Sequence, residues 1–79
     1  MIAYNFSFVI NVDYSDQILY GRIMASNIEN AIDKLPNAIS KKVSSLACYT
    51  RNIILYNKND EQLRKFYSYE ELVQESTKA

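Results

Sequence analysis

Apolar and polar positions alternate with a period of two near the start of the chain, through residues 4–13. A period of two places every second side chain on the same face of a β-strand. The pattern therefore predicts a strand with one buried face. The apolar members of the alternation are Tyr4, Phe6, Phe8, Ile10 and Val12.

A second apolar run, residues 18–25, follows the polar stretch 14–17 and predicts a hairpin. The turn formers Ser15 and Asp16 are the expected centre of the turn. In this register Gly21 lies opposite Ile10, where it either leaves room for a helix or marks a bulge. The predicted pairs are Val12 with Leu19, Ile10 with Gly21, Phe8 with Ile23, and Phe6 with Ala25.

A helical pattern comes next, opened by Ser26 and Glu29 at the spacing of a capping box. Apolar residues then recur every three or four positions as far as Leu46. Pro36 lies inside this stripe, where proline costs about 3 kcal/mol in a helix interior. The sequence therefore favours a helix that is kinked or broken at Pro36 and ends by about Ser45. The stripe consists of Ile28, Ala31, Ile32, Leu35, Ile39, Val43 and Leu46.

The second half of the chain repeats the plan of two strands and a capped helix. Residues 49–56 predict a third strand, residues 57–60 a turn, and residues 62–67 a fourth strand. Leu63 and Phe66 have opposite parity in that strand, which a bulge or a half-exposed edge would reconcile. A second capping box, Ser68 to Glu71, opens a short C-terminal helix whose apolar anchors are Leu72 and Val73.

These elements predict an α+β fold in one domain, residues 1–79. The order is hairpin, helix, hairpin and short C-terminal helix, with a small antiparallel sheet and one main helix packed on one face. The strand order stays open. A chain of 79 residues buries only about 60% of its unfolded surface. It must therefore use its apolar residues well or share them with a second chain, and a homodimer is one expectation.

Composition narrows the classes of function. The chain has nine basic and nine acidic residues, no His and one Cys. Without His, a zinc site or His-based catalysis is not expected, so we expect no metal, no cofactor and no enzymatic activity. No apolar run is long enough for a membrane span, and no signal peptide is visible, which favours a cytoplasmic protein. Cys48 is expected to be a buried structural residue.

Two surfaces are candidates for binding a partner. In the predicted hairpin Tyr20, Arg22 and Met24 lie on the sheet face opposite the core, and exposed Tyr is typical of protein-binding surfaces. The second candidate is the basic segment 34–65, which carries seven basic and two acidic residues. Its candidate contact residues are Lys41, Lys42, Arg51 and Arg64.

The basic segment also supports an alternative function, a small nucleic-acid-binding regulator. Tyr49, Tyr56 and Tyr67 would offer stacking surfaces for bases beside the basic side chains. Nucleic-acid binders are usually strongly basic, however, and this chain has a pI near 6.2.

Two stretches resemble a known group of proteins. Residues 23–32, Ile-Met-Ala-Ser-Asn-Ile-Glu-Asn-Ala-Ile, resemble the strand-to-capped-helix junction of very small phage and mobile-element proteins. Residues 53–60 and 66–72 are similar to the hairpin and helix that end such chains. Several small phage anti-defence proteins of the anti-CRISPR type have this size and ββα plan. The resemblance implies a stoichiometric inhibitor that binds a host protein or protein–nucleic-acid complex.

Overall fold

The fold is α+β, as the sequence predicts: a four-stranded antiparallel sheet with a long helix and a short C-terminal helix. A computed structural model describes residues 1–76 of the chain. The sheet has the order β2-β1-β3-β4, so the two hairpins lie side by side with β2 and β4 at the edges. The elements are β1 (Ile2–Val12), β2 (Ser15–Ala25), α1 (Ile28–Val43), β3 (Arg51–Tyr56), β4 (Gln62–Ser68) and α2 (Tyr69–Ser76), with a 3₁₀ helix at Ser44–Tyr49.

The first hairpin turns at Asp13 and Tyr14, so the predicted turn at Ser15 and Asp16 is wrong. Both turn residues have positive φ, 52° and 66°, as a two-residue type I′ turn requires. Starting β2 at Ser15 extends the β1–β2 ladder to eleven residue pairs. Phe8 consequently pairs with Leu19 rather than Ile23. The partner of each β1 residue changes by four positions, an even number, so every side chain keeps its predicted face.

Gly21 lies opposite Phe6, not opposite Ile10, and the hairpin contains no bulge at this point. The glycine does leave room for other groups, and this is the first of the two alternatives that the sequence predicts. A Cβ atom on Gly21 would lie 2.4 Å from Cζ of Phe6 and 2.7 Å from Cε of Lys42. The missing side chain thus lets a core aromatic ring and a lysine stem from α1 approach the backbone of β2.

Helix α1 begins one residue later than the capping box predicts. Asn27 is the N-cap, and its side-chain oxygen accepts from the amide of Asn30 at 2.8 Å. The side-chain oxygen of Asn30 in turn accepts from the amide of Ser26 at 3.1 Å. The Ser26 and Glu29 box is therefore replaced by a similar pair shifted by one position.

The helix is not broken at Pro36 but runs from Ile28 to Val43. Its buried residues Ala31, Ile32, Leu35 and Ile39 lie on both sides of the proline. Their burial on the sheet outweighs a proline cost of about 3 kcal/mol, since each large apolar side chain contributes about 1.5–3 kcal/mol.

The helix ends at Ser44, whose φ of 53° lies in the left-handed region. This turn breaks the apolar stripe, so Leu46 is exposed in the 3₁₀ helix instead of packed in the core. Cys48 is also exposed in this segment, and the prediction of a buried cysteine is wrong. Tyr49 belongs to the same 3₁₀ helix, which delays the start of β3 to Arg51.

The second hairpin contains the irregularity that the parity of Leu63 and Phe66 predicts. The register between β3 and β4 shifts between Leu55 and Tyr56, and both Leu63 and Phe66 contact the core. The second capping box forms: the Ser68 hydroxyl accepts from the amide of Glu71 at 3.1 Å. The Glu71 carboxylate accepts from the amide of Tyr67 at 2.9 Å.

The core lies between one face of the sheet and the two helices. The Phe6 and Phe8 rings stack there with centroids 6.1 Å apart. Leu72 anchors α2 in this core with no exposed surface, and Val73 is half-buried. The core residues are Tyr4, Phe6, Phe8, Ala25, Ala31, Ile32, Leu35, Ile39, Ala47, Ile53, Leu55, Phe66 and Leu72. Because both helices pack on this side, no helix in the described residues 1–76 lies over the opposite side of the sheet.

Candidate functional site

The sheet face opposite the helices carries a set of aromatic, apolar and basic side chains, here called the open face. Cross-strand pairs share a face, so the ladder Ser7–Tyr20, Asn5–Arg22 and Ser7–Ile54 assigns its members. The open face comprises Asn5, Ser7, Val9, Ile18, Tyr20, Arg22, Met24, Ile54, Tyr56, Lys65 and Tyr67.

Several large side chains on the open face are well exposed. Tyr20 is 68% exposed, Tyr67 67%, Ile18 57% and Met24 47%. Single exposed apolar residues are common on proteins, but a group on one sheet face is typical of an interaction site. Three of these residues lie on β2 and Tyr67 lies on β4, so the group spans the sheet from edge to edge.

Polar contacts hold the centre of the open face in place. The hydroxyl groups of Ser7 and Tyr56 are 3.2 Å apart and form a hydrogen bond. Ser7 is only 5% exposed, so its hydroxyl is satisfied within the protein. This bond fixes the Tyr56 ring against β1 and gives the face a rigid aromatic centre.

Asn5 connects β2 to the turn between β3 and β4. Its side-chain oxygen accepts from Nε of Arg22 at 3.2 Å, and its side-chain nitrogen donates to the Asp60 carboxylate at 3.1 Å. These groups and Tyr20 line a shallow pocket on the open face. The pocket combines a guanidinium, a carboxylate and an amide with three aromatic residues, Phe6, Tyr20 and Tyr56, which suits a mixed polar and aromatic partner surface.

Lys65 adds positive charge beside the aromatic residues. Its Nζ lies 5.2 Å from the ring centroid of Tyr67, two residues along β4. This distance is within the range of a cation–π contact. The contact presents a cation and an aromatic ring together near the β4 edge.

The predicted residues Tyr20, Arg22 and Met24 all lie on the open face, as expected. The corrected register changes only their neighbours on β1, which are Ser7, Asn5 and Ala3. All three side chains are exposed. The structure therefore brings this predicted group together on one surface.

The predicted basic surface is divided between separate parts of the molecule. Lys41 and Lys42, in the last turn of α1, line a groove beside β2 that also includes Arg22. Arg64 lies on β4 at the opposite edge of the sheet, and Arg51 is exposed at the start of β3. The segment 34–65 is continuous in sequence but does not form one surface.

Two of the basic side chains also have partners within the protein. Nη2 of Arg64 lies 3.1 Å from the Glu75 carboxylate, and its guanidinium lies 5.2 Å from the centroid of Phe66. Nζ of Lys34 donates to the backbone carbonyl of Met24 at 2.8 Å. These contacts tie part of the positive charge to the fold.

Sequence reasoning did not place Tyr56, Tyr67 and Lys65 on the same surface as Tyr20. Tyr56 and Tyr67 were expected as stacking residues of the basic segment, together with Tyr49. The alternation of side chains along β3 predicts which face of the sheet carries Tyr56. Tyr67 follows the bulge in the second hairpin, so alternation alone does not predict its face. Tyr49 lies in the 3₁₀ helix, away from the sheet.

The described residues 1–76 hold no group of three or more His, Cys, Asp or Glu side chains that could bind a metal ion. In the same part of the chain, neither helix has both the length and the apolar character needed to cross a membrane.

Comparison with known proteins adds no relative: no family model matches the chain, and neither the curated proteins nor the solved structures give a match. The resemblance to small phage anti-defence proteins therefore stays a prediction.

Proposed function

We propose that this protein is a non-enzymatic interaction protein that acts by binding a larger partner through the open face. The observation that carries the proposal is the exposed group of Tyr20, Tyr67, Ile18 and Met24 on the sheet face opposite α1 and α2. Tyr, Met and Arg are enriched at the centres of protein interfaces. Tyr and Arg are also frequent among the residues that contribute most binding energy.

The rigidity of the surface supports this function. Binding costs free energy when loops and side chains must be ordered, and a preformed surface reduces that cost. Here the aromatic residues stand on paired strands, and the bonds of Ser7 to Tyr56 and of Asn5 to Arg22 restrain the centre. A small protein with such a face can block a larger machine by occupying one of its surfaces.

The expected class of partner comes from the resemblance. Small phage anti-defence proteins inhibit a host defence complex by stoichiometric binding, without a cofactor and inside the host cytoplasm. We propose the same mode for this chain, with a host protein or protein–nucleic-acid complex as its target. Lys41, Lys42, Arg51 and Arg64 are then secondary contact candidates: Lys41 and Lys42 line a groove with Arg22, whereas Arg64 lies at the β4 edge.

Direct nucleic-acid binding is the second candidate, and the Lys65 and Tyr67 pair favours it. A ring with a cation above it resembles the stacking-plus-phosphate arrangement of single-strand binders. The net charge of zero weakens this candidate, because nucleic-acid affinity rests largely on phosphate neutralisation.

The test is affinity capture from a host-cell lysate with the tagged protein, with and without nuclease, read by mass spectrometry. The wild type is compared with Tyr20→Ser and Tyr67→Ser, which remove open-face rings. The control is Tyr14→Ser, which removes a fully exposed ring at the hairpin turn.

A dominant protein complex that survives nuclease, is retained by Tyr14→Ser and is lost by the two open-face variants supports the proposal. Recovery that disappears with nuclease would instead assign the face to nucleic acid. Affinity should then fall steeply with salt, as counterion release requires. Equal capture by all four proteins would show that the partner does not bind through the open face.

A further inference from the structure

The free edge of the sheet at β2 is long and regular. All eleven residues of β2 pair with β1 without a register shift, and in the part of the chain that the structure describes β2 has no strand on its other side. Unprotected edges of this length tend to pair with another strand, and proteins usually interrupt them with bulges, Pro or Lys. β2 contains no bulge, Pro or Lys, and its charged residues are Asp16 and Arg22.

The other edge, β4, is protected differently. Its register with β3 is interrupted near Tyr56, and the amide of Tyr67 donates to the Glu71 side chain of α2. The contrast indicates that β2, rather than β4, is available for pairing.

The hairpin turn determines which backbone groups of β2 point outward. In a two-residue hairpin the closing pair, Val12 and Ser15, is hydrogen-bonded, and bonded pairs then alternate along the ladder. The odd residues of β2 therefore bond to β1, and the even residues direct their N–H and C=O groups away from it. The contact of Lys34 Nζ with the carbonyl of Met24 agrees with this assignment.

We propose that a second copy of this chain pairs with β2 in an antiparallel arrangement, with Leu19 of the two copies on the two-fold axis. In this register Asp16 of each copy lies opposite Arg22 of the other, and Ile18 lies opposite Tyr20. Four outward-facing pairs would form about eight backbone hydrogen bonds. Two oppositely charged pairs and two aromatic–aliphatic pairs would line the same face.

Charge complementarity selects this register over its neighbours. The outward groups allow only registers that pair even residues with even residues. A shift in one direction places Arg22 opposite Ile18 and Asp16 opposite Met24. A shift in the other direction places Asp16 opposite Tyr20 and leaves Arg22 beyond the ladder of even pairs. Leu19 lies midway between Asp16 and Arg22 in β2. Only a two-fold axis at Leu19 therefore places Asp16 of each copy opposite Arg22 of the other.

The helix side of the proposed interface is also compatible. Leu19 is half-buried in the single chain, and its copy would cover it across the axis. In this register Gly21 of one copy lies opposite Gln17 of the other. The two Gly21 residues, each with a Lys42 side chain over it, are therefore about four residues apart along the strand. That spacing is roughly 13 Å, beyond the screening length of about 8 Å at physiological salt. The pairing uses the edge and leaves the open face uncovered, so it does not rest on the proposed function.

A charge swap tests the register. Sedimentation of the wild type, Asp16→Arg, Arg22→Asp and the double variant D16R/R22D is followed over a concentration series from about 5 to about 500 µM, since short edge interfaces are weak. Asp13→Arg is the control, because Asp13 lies in the turn outside the pairing. Circular dichroism of each variant checks that the fold is retained, and reductant prevents disulfides through Cys48.

The wild type and Asp13→Arg are expected to dimerise. Each single variant should raise the dimer dissociation constant at least about tenfold, because two ion pairs become two like-charge pairs. The double variant should restore dimerisation. A monomeric wild type throughout the series, single variants that dimerise as well as the wild type, or a double variant no better than the singles would overturn the proposal.

A cross-link gives a second, independent readout. Leu19→Cys in a Cys48→Ser background places two thiols on the axis in a non-hydrogen-bonded pair, with Cα atoms about 4.5 Å apart, within disulfide range. We expect a covalent dimer on mild oxidation. The control Ile23→Cys, on the same side of β2, should remain monomeric. A cross-link through Ile23 and not through Leu19 would contradict the register.

Discussion

Replacing Gly21 by Ala tests the close approach of the Phe6 ring to the backbone of β2. The added Cβ would lie 2.4 Å from Cζ and 2.7 Å from Cε1 of Phe6, whereas carbon atoms normally approach to about 3.5–4.0 Å. The Phe6 ring is 1% exposed and has little room to move. Lys42, the other neighbour, has an exposed flexible side chain and can move away.

The expected result is a net loss of stability. Inserting a methyl group into a packed core typically costs about 1–3 kcal/mol. Gly21 does not have positive φ, so Ala adds no strain of that kind and recovers about 0.4–1 kcal/mol through the unfolded state. The difference is a destabilisation of about 1 kcal/mol, which lowers the melting temperature by about 4–8 °C for a domain of this size.

The assay is thermal and urea unfolding of four proteins at one low concentration: wild type, Gly21→Ala, Phe6→Leu and the double variant. Leucine lacks the Cζ and Cε1 atoms that the new methyl group would meet. Gly21→Ala should therefore be neutral or stabilising in the Phe6→Leu background, with a coupling energy of about 1 kcal/mol or more. Ser15→Ala, an exposed change in the same strand, should shift stability by less than about 0.5 kcal/mol. A Gly21→Ala protein as stable as the wild type, or equally destabilised in both backgrounds, would refute the contact.

Three further predictions concern single residues. Asn27→Ala should destabilise the protein by about 1 kcal/mol because it removes the N-cap bond of α1. Ser26→Ala should have little effect in the same thermal unfolding experiments. A larger loss of stability for Ser26→Ala than for Asn27→Ala would identify Ser26 as the N-cap. Tyr14→Gly should stabilise the hairpin by about 1 kcal/mol, because glycine adopts the positive φ of this turn without steric cost, and a lower melting temperature would argue against the turn at Asp13 and Tyr14. Cys48 is exposed, so the native protein should react with a thiol reagent as fast as the urea-unfolded chain does; protection in the native state would place the thiol in the core.

The faces of the first hairpin could be predicted from sequence although its turn could not. Asp13-Tyr14 lacks the glycine typical of a type I′ turn, and Ser15-Asp16 is an equally reasonable turn pair. The resulting error of four positions leaves every side chain on its predicted face, because alternation has a period of two. For this reason the positions of Tyr20 and Met24 are predicted correctly while their cross-strand partners are not.

Helix ends depend on tertiary context in a similar way. Ser26 and Asn27 are both good N-caps, and the choice between them follows from where β2 ends, with Ala25 buried in the core. Ser44 adopts a positive φ that serine seldom takes, so the end of the apolar stripe before Leu46 could not be predicted from sequence. Pro36 is tolerated because packing on both sides of it contributes more free energy than the proline removes.

The basic candidates could not be grouped correctly without the strand order. Lys41, Lys42 and Arg64 are close in sequence, but the order β2-β1-β3-β4 separates α1's groove beside β2 from the β4 edge. The register of β4 on β3, with its shift near Tyr56, places Tyr67 on the face that also carries Tyr20. A contiguous charged segment is therefore a poor guide to a surface when its ends belong to different elements.

The central claim is that the open face binds the partner, and its most direct test is a titration of the captured partner with the purified protein. We expect Tyr20→Ser to weaken binding by at least about 30-fold, the effect of losing a central interface contact worth about 2 kcal/mol. Tyr14→Ser should bind like the wild type, with stoichiometric saturation in both cases. Equal affinity of Tyr20→Ser, Tyr14→Ser and the wild type would contradict the account.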